Sequence, residues 1–210
     1  MTVNGTEFTT TWRDVAEGTD LLGVAVLFSE GIGPSDETVK EALHRSSLAT
    51  VTVSANDAVE PADVQGVLTE IERKAVDRPV CVIGVGDAGT PIWSALSNRD
   101  ASIIAAVLVA APLPSSAVDY ASFNRVSVRG IYAQDSDAYD DDFQINHESM
   151  QAVDTPHDFL VFGGDSGDRF FDPSSSDFHG PTVTAAADGI ADWCEARITL
   201  GRVETADHQH

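Results

Sequence analysis

Basic residues, and lysines above all, are scarce in this chain of 210 residues. Twelve Lys and Arg stand against 34 Asp and Glu, which gives a formal net charge of -22 at pH 7. Only 2 of the 12 basic residues are lysines, whereas 23 of the 34 acidic residues are aspartates. A negative field of this size repels phosphates and anionic lipid heads. We therefore expect no nucleic-acid partner and no binding to a membrane surface.

The excess of aspartate over lysine predicts a halophilic protein. A surface of this kind stays hydrated in concentrated salt, where charge repulsion is screened within about 3 Å at 1 M. A high-GC genome is the alternative explanation. It accounts for the preference for arginine over lysine, but it does not account for so large a net charge.

Cysteines and long apolar runs are also few. Cys81 and Cys194 have no metal-type spacing, so we expect two buried thiols in a reducing cytoplasm, and no metal or cofactor. The longest apolar runs, 21–28 and 103–112, are far shorter than the roughly 20 residues of a membrane helix. The polar start lacks a basic flank. These features predict neither a membrane span nor a standard secretory signal.

The remaining composition predicts one globular domain. Hydrophobic residues make up 42% of the chain, and a chain of this length buries roughly 70% of its unfolded surface. No internal repeat and no Pro/Ser/Gly linker divides the sequence. We expect a single domain over 1–210, with its core at about 21–198 and a polar C-terminal tail at 201–210.

Apolar strands alternate with amphipathic helices along the chain. This alternation predicts an α/β fold, a three-layer α/β/α sandwich with a mostly parallel sheet. The polar loops at 135–142 and 165–179 follow strands, and therefore lie at the edge where α/β folds place their sites. Strands are predicted at 21–28, 49–54, 79–84, 103–111, 126–133 and 159–162, and helices from Ser35, from Pro61, over 91–96 and over 183–198.

A glycine-rich turn, Gly84-Val85-Gly86-Asp87-Ala88-Gly89, joins a strand to a helix. It matches the G-x-G-x-x-G pattern of dinucleotide-binding proteins. That pattern needs an acidic residue about 20 positions later, at the tip of the next strand. Here that strand ends in Val109-Ala110-Ala111-Pro112, which contains no acidic residue. Nucleotide binding is therefore the weaker interpretation.

The same turn also fits a nucleophile elbow, in which small residues flank a side chain at the tip of a strand-to-helix turn. With Gly84 as the first small residue, the tip is Gly86, which has no side chain. Shifting the register by one places Asp87 at the tip, and an aspartate can be a covalent nucleophile. That shift puts Val85 where a small residue is needed. We favour Gly86, for which we expect a positive φ because glycine tolerates the strained tip of an elbow, and keep Asp87 as the alternative.

Four segments in order resemble the dienelactone hydrolase family of α/β-hydrolases, from about residue 21 to residue 198. The resemblance implies the same fold and a hydrolase site. The segments are Ser29–Gly33, similar to the family's His-Glu-x-x-Gly loop; Gly84–Gly89, similar to its Gly-x-Cys-x-Gly-Gly elbow; Gly130–Asp137, similar to its acid loop; and Phe162–Pro173, similar to its Tyr-Pro-x-x-x-His-Gly-Phe segment.

The resemblance also implies that two catalytic positions are changed. The family's cysteine nucleophile falls on Gly86, and its general-base histidine falls on Asp168, or on Gly167 without an insertion. The acid position falls near Asp135, Ser136 and Asp137. The residues placed around a ligand are Glu30, Gly31, Ile32 and Arg169.

These residues lead to two main hypotheses. The first is a pseudoenzyme that holds a small molecule in the crevice above the sheet. The second is an active ester or lactone hydrolase that uses Asp87 as nucleophile, or a water activated by a carboxylate of Glu30, Asp135 or Asp168. His179 is the best placed histidine, and we interpret it as a solvated side chain. The sequence leaves the oligomeric state open, including a homo-oligomer.

Three consecutive aspartates, Asp140 to Asp142, lack the alternating spacing of a calcium-binding loop. We expect a solvated acidic loop there.

Overall fold

The computed structural model describes residues 1–29, 34–55, 60–75, 78–96, 103–117, 126–152, 154, 156–163 and 169–207. Within these residues, eight strands form one sheet in the order β1-β2-β4-β3-β5-β6-β7-β8. The strands are β1 (Thr2–Val3), β2 (Thr6–Arg13), β3 (Gly23–Phe28), β4 (Leu48–Ala55), β5 (Val80–Val85), β6 (Ile103–Val109), β7 (Ser127–Ala133) and β8 (His157–Phe162). The helices are α1 (Pro34–Arg45), α2 (Pro61–Ala75), α3 (Gly89–Leu96), α4 (Asp141–Met150) and α5 (Gly180–Asp207).

The sheet is parallel from β4 to β8, and helices cover both of its faces. The central strands β3 and β5 are buried at every residue, which explains their continuous apolar sequence. One core lies between the sheet and the apolar sides of α2, α3 and α4, and the other lies under α1 and α5. The predicted α/β sandwich with a mostly parallel sheet is therefore confirmed.

The N-terminal segment belongs to the sheet, so the expectation that the core begins at about residue 21 is wrong. β2 runs antiparallel to β4, from Phe8 opposite Ala55 to Arg13 opposite Thr50. Phe8 is 1% exposed and packs in the core beside α2. The sequence hid this strand because only one face of it is buried. Polar residues therefore alternate with the few apolar ones.

Two helices extend into segments that we expected to be irregular. The final helix α5 continues through Asp207, so residues 201–207 are helical and do not form a tail. The acidic run at 140–142 starts α4. Asp140 is the N-cap, and its side chain accepts a hydrogen bond of 2.8 Å from Phe143 N. Negative charge is favourable at this end of a helix, which explains the acidic cluster without a cation.

The two cysteines form a disulfide, so the expectation of two free thiols is wrong. Cys81 lies on β5 and Cys194 on α5, with Cα atoms 5.6 Å apart, and both are fully buried. The helix packs directly on the strand, and distance along the chain says nothing about such a contact. Disulfides are typical of oxidising environments, so cysteine usage no longer favours a reducing compartment.

None of the described helices combines the length and the apolar character that a membrane crossing requires.

Candidate functional site

The glycine-rich turn forms the connection from β5 to α3. A short 3-10 turn over Gly86–Ala88 separates the two elements. The backbone N of Gly89 donates a hydrogen bond to Gly86 O and closes this turn. Gly86 has φ of +61°, a conformation that L side chains rarely adopt. The positive φ expected for the tip of an elbow is confirmed at this residue.

The glycines at the base of the elbow are required by packing. A Cβ atom at Gly89 would lie 2.2 Å from Ala111 Cβ, and one at Gly84 would lie 2.6 Å from Ile92 Cδ1. A Cβ atom at Gly86 would meet no atom of the described residues within 4 Å. The elbow is thus tightly packed at its base and open at its tip.

This packing favours Gly86 over Asp87 as the tip. In the shifted register, the residue two positions before the tip is Val85, which is an extended, buried strand residue. Asp87 is exposed inside the 3-10 turn, and it is not among the described residues with positive φ. Gly86 is therefore the residue of this turn that combines a positive φ with the tip position of the favoured register.

The acid loop follows β7. Asp135 and Asp137 are both exposed, and Asp137 begins a 3-10 turn over 137–139. Ser136 lies between them and is 5% exposed, and its hydroxyl has no hydrogen-bond partner. The loop is shaped by its backbone, because Ser136 N donates to Ala133 O and Tyr139 N donates to Ser136 O.

Four of the predicted site residues lie outside the described residues: Glu30, Gly31, Ile32 and Asp168, with the alternative Gly167. Arg169 is described and is paired within its own loop. Its guanidinium donates to Asp172, which also accepts from Ser174 Oγ at 2.7 Å and Ser174 N at 2.8 Å. The bonds from Ser174 and the nearby Arg169 lower the pKa of Asp172.

His179 ends this loop, where α5 begins. Its Nδ1 lies 2.7 Å from Thr182 Oγ1, and its backbone N donates to Phe170 O at 3.3 Å. The ring is exposed, as expected for a solvated side chain, but it is held by the first turn of the helix. Phe170 and Phe171 anchor the loop in the core beneath α5.

No family model matches the chain, and no curated protein matches it in sequence. Solved structures do match it. The match to Est1E from Butyrivibrio proteoclasticus covers 94% of this chain and 97% of that chain, with a TM-score of 0.73 and 8% identity. Against an esterase domain from Rhodothermus marinus, the TM-score is 0.69 and the identity 10%, over 91% of this chain and 99% of that one.

A protein assigned as a dienelactone hydrolase from Klebsiella pneumoniae gives a TM-score of 0.67 at 13% identity, over 89% of this chain and 98% of that chain. The chain has an α/β-hydrolase fold. At these identities the likeness concerns the fold alone, so the chemistry of the hydrolase-fold site must be argued from its own residues.

One buried carboxyl of this hydrolase fold escaped the sequence analysis. Asp36, in the first turn of α1, is 4% exposed, and its Oδ2 accepts a hydrogen bond of 2.8 Å from Ser29 Oγ at the end of β3. Burial raises the pKa of Asp36. Asp36, Val39 and Leu43 are spaced at i, i+3 and i+7, which puts all three on the buried side of the helix. This spacing is the feature of the sequence that indicates the burial of Asp36.

Among the described residues, the edge of the sheet around the elbow therefore presents the backbone of Gly86 and the exposed carboxyls of Asp87, Asp135 and Asp137. The tip of the elbow has no side chain, and the exposed Asp87 follows it. Among the described residues, no group of three or more His, Cys, Asp and Glu side chains could hold a metal ion.

Proposed function

We propose that this α/β-hydrolase-fold protein binds a small carbonyl compound at the carboxyl edge of its sheet and does not cleave it through a covalent intermediate. The observation that carries the proposal is the open tip of the elbow at Gly86. The backbone there has a positive φ, but Gly86 has no side chain that could act as a nucleophile. Covalent catalysis needs a nucleophile activated by a base, and neither is present at the matching positions.

The ligand class follows from the fold neighbours and from the shape of the tip. Est1E from Butyrivibrio proteoclasticus has been solved with ferulic acid bound, over 93% of this chain's length. The space that a side chain would fill at Gly86 is open to such a molecule. We therefore infer an aromatic acid or its ester as the ligand class.

The first experiment measures binding of ferulic acid by calorimetry. A leucine in the Gly86→Leu variant fills the open space, so we expect affinity to fall by tenfold or more, which corresponds to about 1.4 kcal/mol. Gly18→Leu is the matched control, because Gly18 also has positive φ, +84°, and open space, but lies between β2 and β3. Equal loss in both variants, or no binding to the wild type, would contradict the proposal.

The second experiment restores the missing groups. The double variant Gly86→Cys, Asp168→His should gain hydrolysis of a 4-nitrophenyl ester over the wild type, and either single variant should gain far less. A thiol without a base is weakly activated, and a base without a thiol has nothing to deprotonate. Trace wild-type turnover agrees with the proposal, since loss of a triad still leaves roughly 10³ to 10⁴ over water in a well-studied protease.

An active hydrolase that uses Asp87 is the second candidate, and the exposure of Asp87 directly after the tip favours it. Its carboxylate would attack the ester carbon, the alcohol would leave with a proton from water, and water would then hydrolyse the acyl anhydride. Wild-type turnover of about 1 per second or faster, lost in Asp87→Asn, would establish this candidate and overturn the first.

A further inference from the structure

Two buried aspartates occupy first turns of helices, Asp36 in α1 and Asp63 in α2, and each is 4% exposed. Their hydrogen bonding differs. Among the described residues, Asp36 Oδ2 accepts one bond, from Ser29, and the buried Oδ1 has no hydrogen-bond partner. The carboxylate of Asp63 accepts three bonds, from Asn4 Nδ2 at 3.2 Å, Thr6 Oγ1 at 3.2 Å and Glu60 N at 3.4 Å.

A buried carboxylate with a single donor among the described residues is poorly compensated, so burial disfavours the charged form of Asp36. Burial raises its pKa most strongly, and the neighbouring Glu37 adds to the increase. The hydrogen bond from Ser29 and the charge of Lys40 act in the opposite direction. Lys40 does not bond to Asp36 here, because its Nζ lies 2.6 Å from Glu37 Oε1.

The Ser29–Asp36 contact lies directly beside the elbow. Phe28 pairs with Gly84 in the parallel sheet, so the next residue, Ser29, is level with Val85. Neighbouring strands are about 4.8 Å apart. Val85 directly precedes Gly86. On the side of β3 away from β5, Ser29 N donates to Val53 O on β4 at 3.3 Å.

We propose that Asp36 is a positioning residue of the elbow: through Ser29 it holds the carboxyl end of β3 against α1, and thereby fixes the strand end that flanks Gly86. Its relevance to ligand binding rests on the function proposed above, but the positioning itself does not. Asp36 touches neither the tip nor a ligand. Its effect passes through Ser29 and the register of β3 with β5.

The contact is expected to weaken as the pH rises. Because the pKa of Asp36 is raised in the folded protein, the native state holds this proton more tightly than the unfolded chain does. The resulting stabilisation is complete below the unfolded value of about 3.8 and declines as the pH rises through the folded value. Above that value, a poorly compensated charge is buried at the Ser29 contact.

The test is hydrogen exchange of the backbone amides at 85–88, corrected for the intrinsic effect of pH, in four proteins from about pH 5 to pH 8. In the wild type, exchange should accelerate severalfold as the pH rises, because the pKa of Asp36 is raised in the folded protein. Asp36→Asn should remove this acceleration. Ser29→Ala should exchange faster at every pH, and Asp63→Asn, the matched buried aspartate, should keep the wild-type trend.

Equal exchange at 85–88 in the wild type, Asp36→Asn and Ser29→Ala would overturn the proposal, since Asp36 would then support only its own helix. If Asp36→Asn does not fold, Ser29→Ala decides alone by the same comparison. The measurement uses no ligand and no turnover. Wild-type esterase activity, which would overturn the proposed function, therefore leaves this result readable.

Discussion

The base and the tip of the elbow lie three residues apart and are packed in opposite ways. A methyl group at Gly89 would collide with Ala111, whereas a methyl group at Gly86 would meet open space. At the base, glycine is needed for the helix to approach β6. At the tip, glycine is compatible with the positive φ, but the packing does not demand it.

This difference separates the parts of the fold that hold the structure from those that carry chemistry. The strand-to-helix turn, its positive φ and its tight base are all present. The residue at the tip, Gly86, has no side chain. Because none of the described residues packs against the tip, its side chain can vary without loss of the fold.

The largest effect is expected where β5, the strand that carries the elbow, is tied to α5. Replacing both Cys81 and Cys194 by alanine opens a loop of 113 residues. The chain-entropy model gives about 4 to 5 kcal/mol for a loop of this size, and removal of native disulfides typically costs about 2 to 5 kcal/mol. Urea unfolding measures this loss. A reducing agent should produce the same loss in the wild type and none in the double variant.

The next effect is at the base of the elbow. Gly89→Ala puts a Cβ atom 2.2 Å from Ala111 Cβ, and overpacking of this kind costs typically about 1 to 3 kcal/mol. The matched variant is Gly89→Ala, Ala111→Gly, which removes the colliding methyl group. We expect it to recover part of the loss. Stability unchanged in Gly89→Ala would show that the base is not tightly packed.

The sequence predicted the parts of the fold that depend on local pattern. Buried parallel strands such as β3 and β5 are continuous apolar runs, and α2 carries an apolar stripe. β2 was missed because it is antiparallel and buried on one face. Most of its residues are therefore polar, and its sequence resembles that of a loop. The disulfide was missed because it depends on which helix packs on which strand.

The candidate site was predictable where the backbone sets it. The glycine pattern predicted the elbow and the positive φ of Gly86. The roles of Asp87, Asp135, Asp137 and Arg169 stay predictions, since a side chain's function depends on partners that spacing does not give. Asp36 was missed because acidic residues are common and usually exposed in the first turn of a helix, and only its spacing from Val39 and Leu43 indicated burial.

A smaller effect concerns the surface charge of -22. Repulsion between surface charges reaches about 30 Å at 0.01 M salt and only about 3 Å at 1 M. We therefore expect Tm to rise by about 2 to 4 °C or more from dilute buffer to molar potassium chloride, which corresponds to about 1 kcal/mol. The stability difference between Gly89→Ala and the wild type should not change with salt, because it arises from packing. A flat or falling Tm would favour genome composition as the source of the acidity.

An effect of similar size is expected at the tip itself. In Gly86→Ser the new Cβ atom meets nothing within 4 Å, so the loss of stability comes from the backbone alone, at φ +61°. A non-glycine residue in this region costs about 1 to 2 kcal/mol. Gly18→Ser, at φ +84° and equally open, should lose a similar amount, because no packing distinguishes the two positions. Thermal unfolding of the two variants, beside Gly89→Ala, measures the comparison directly. If Gly86→Ser loses as much as Gly89→Ala and far more than Gly18→Ser, the tip is packed after all, and packing then requires glycine at the tip as it does at the base.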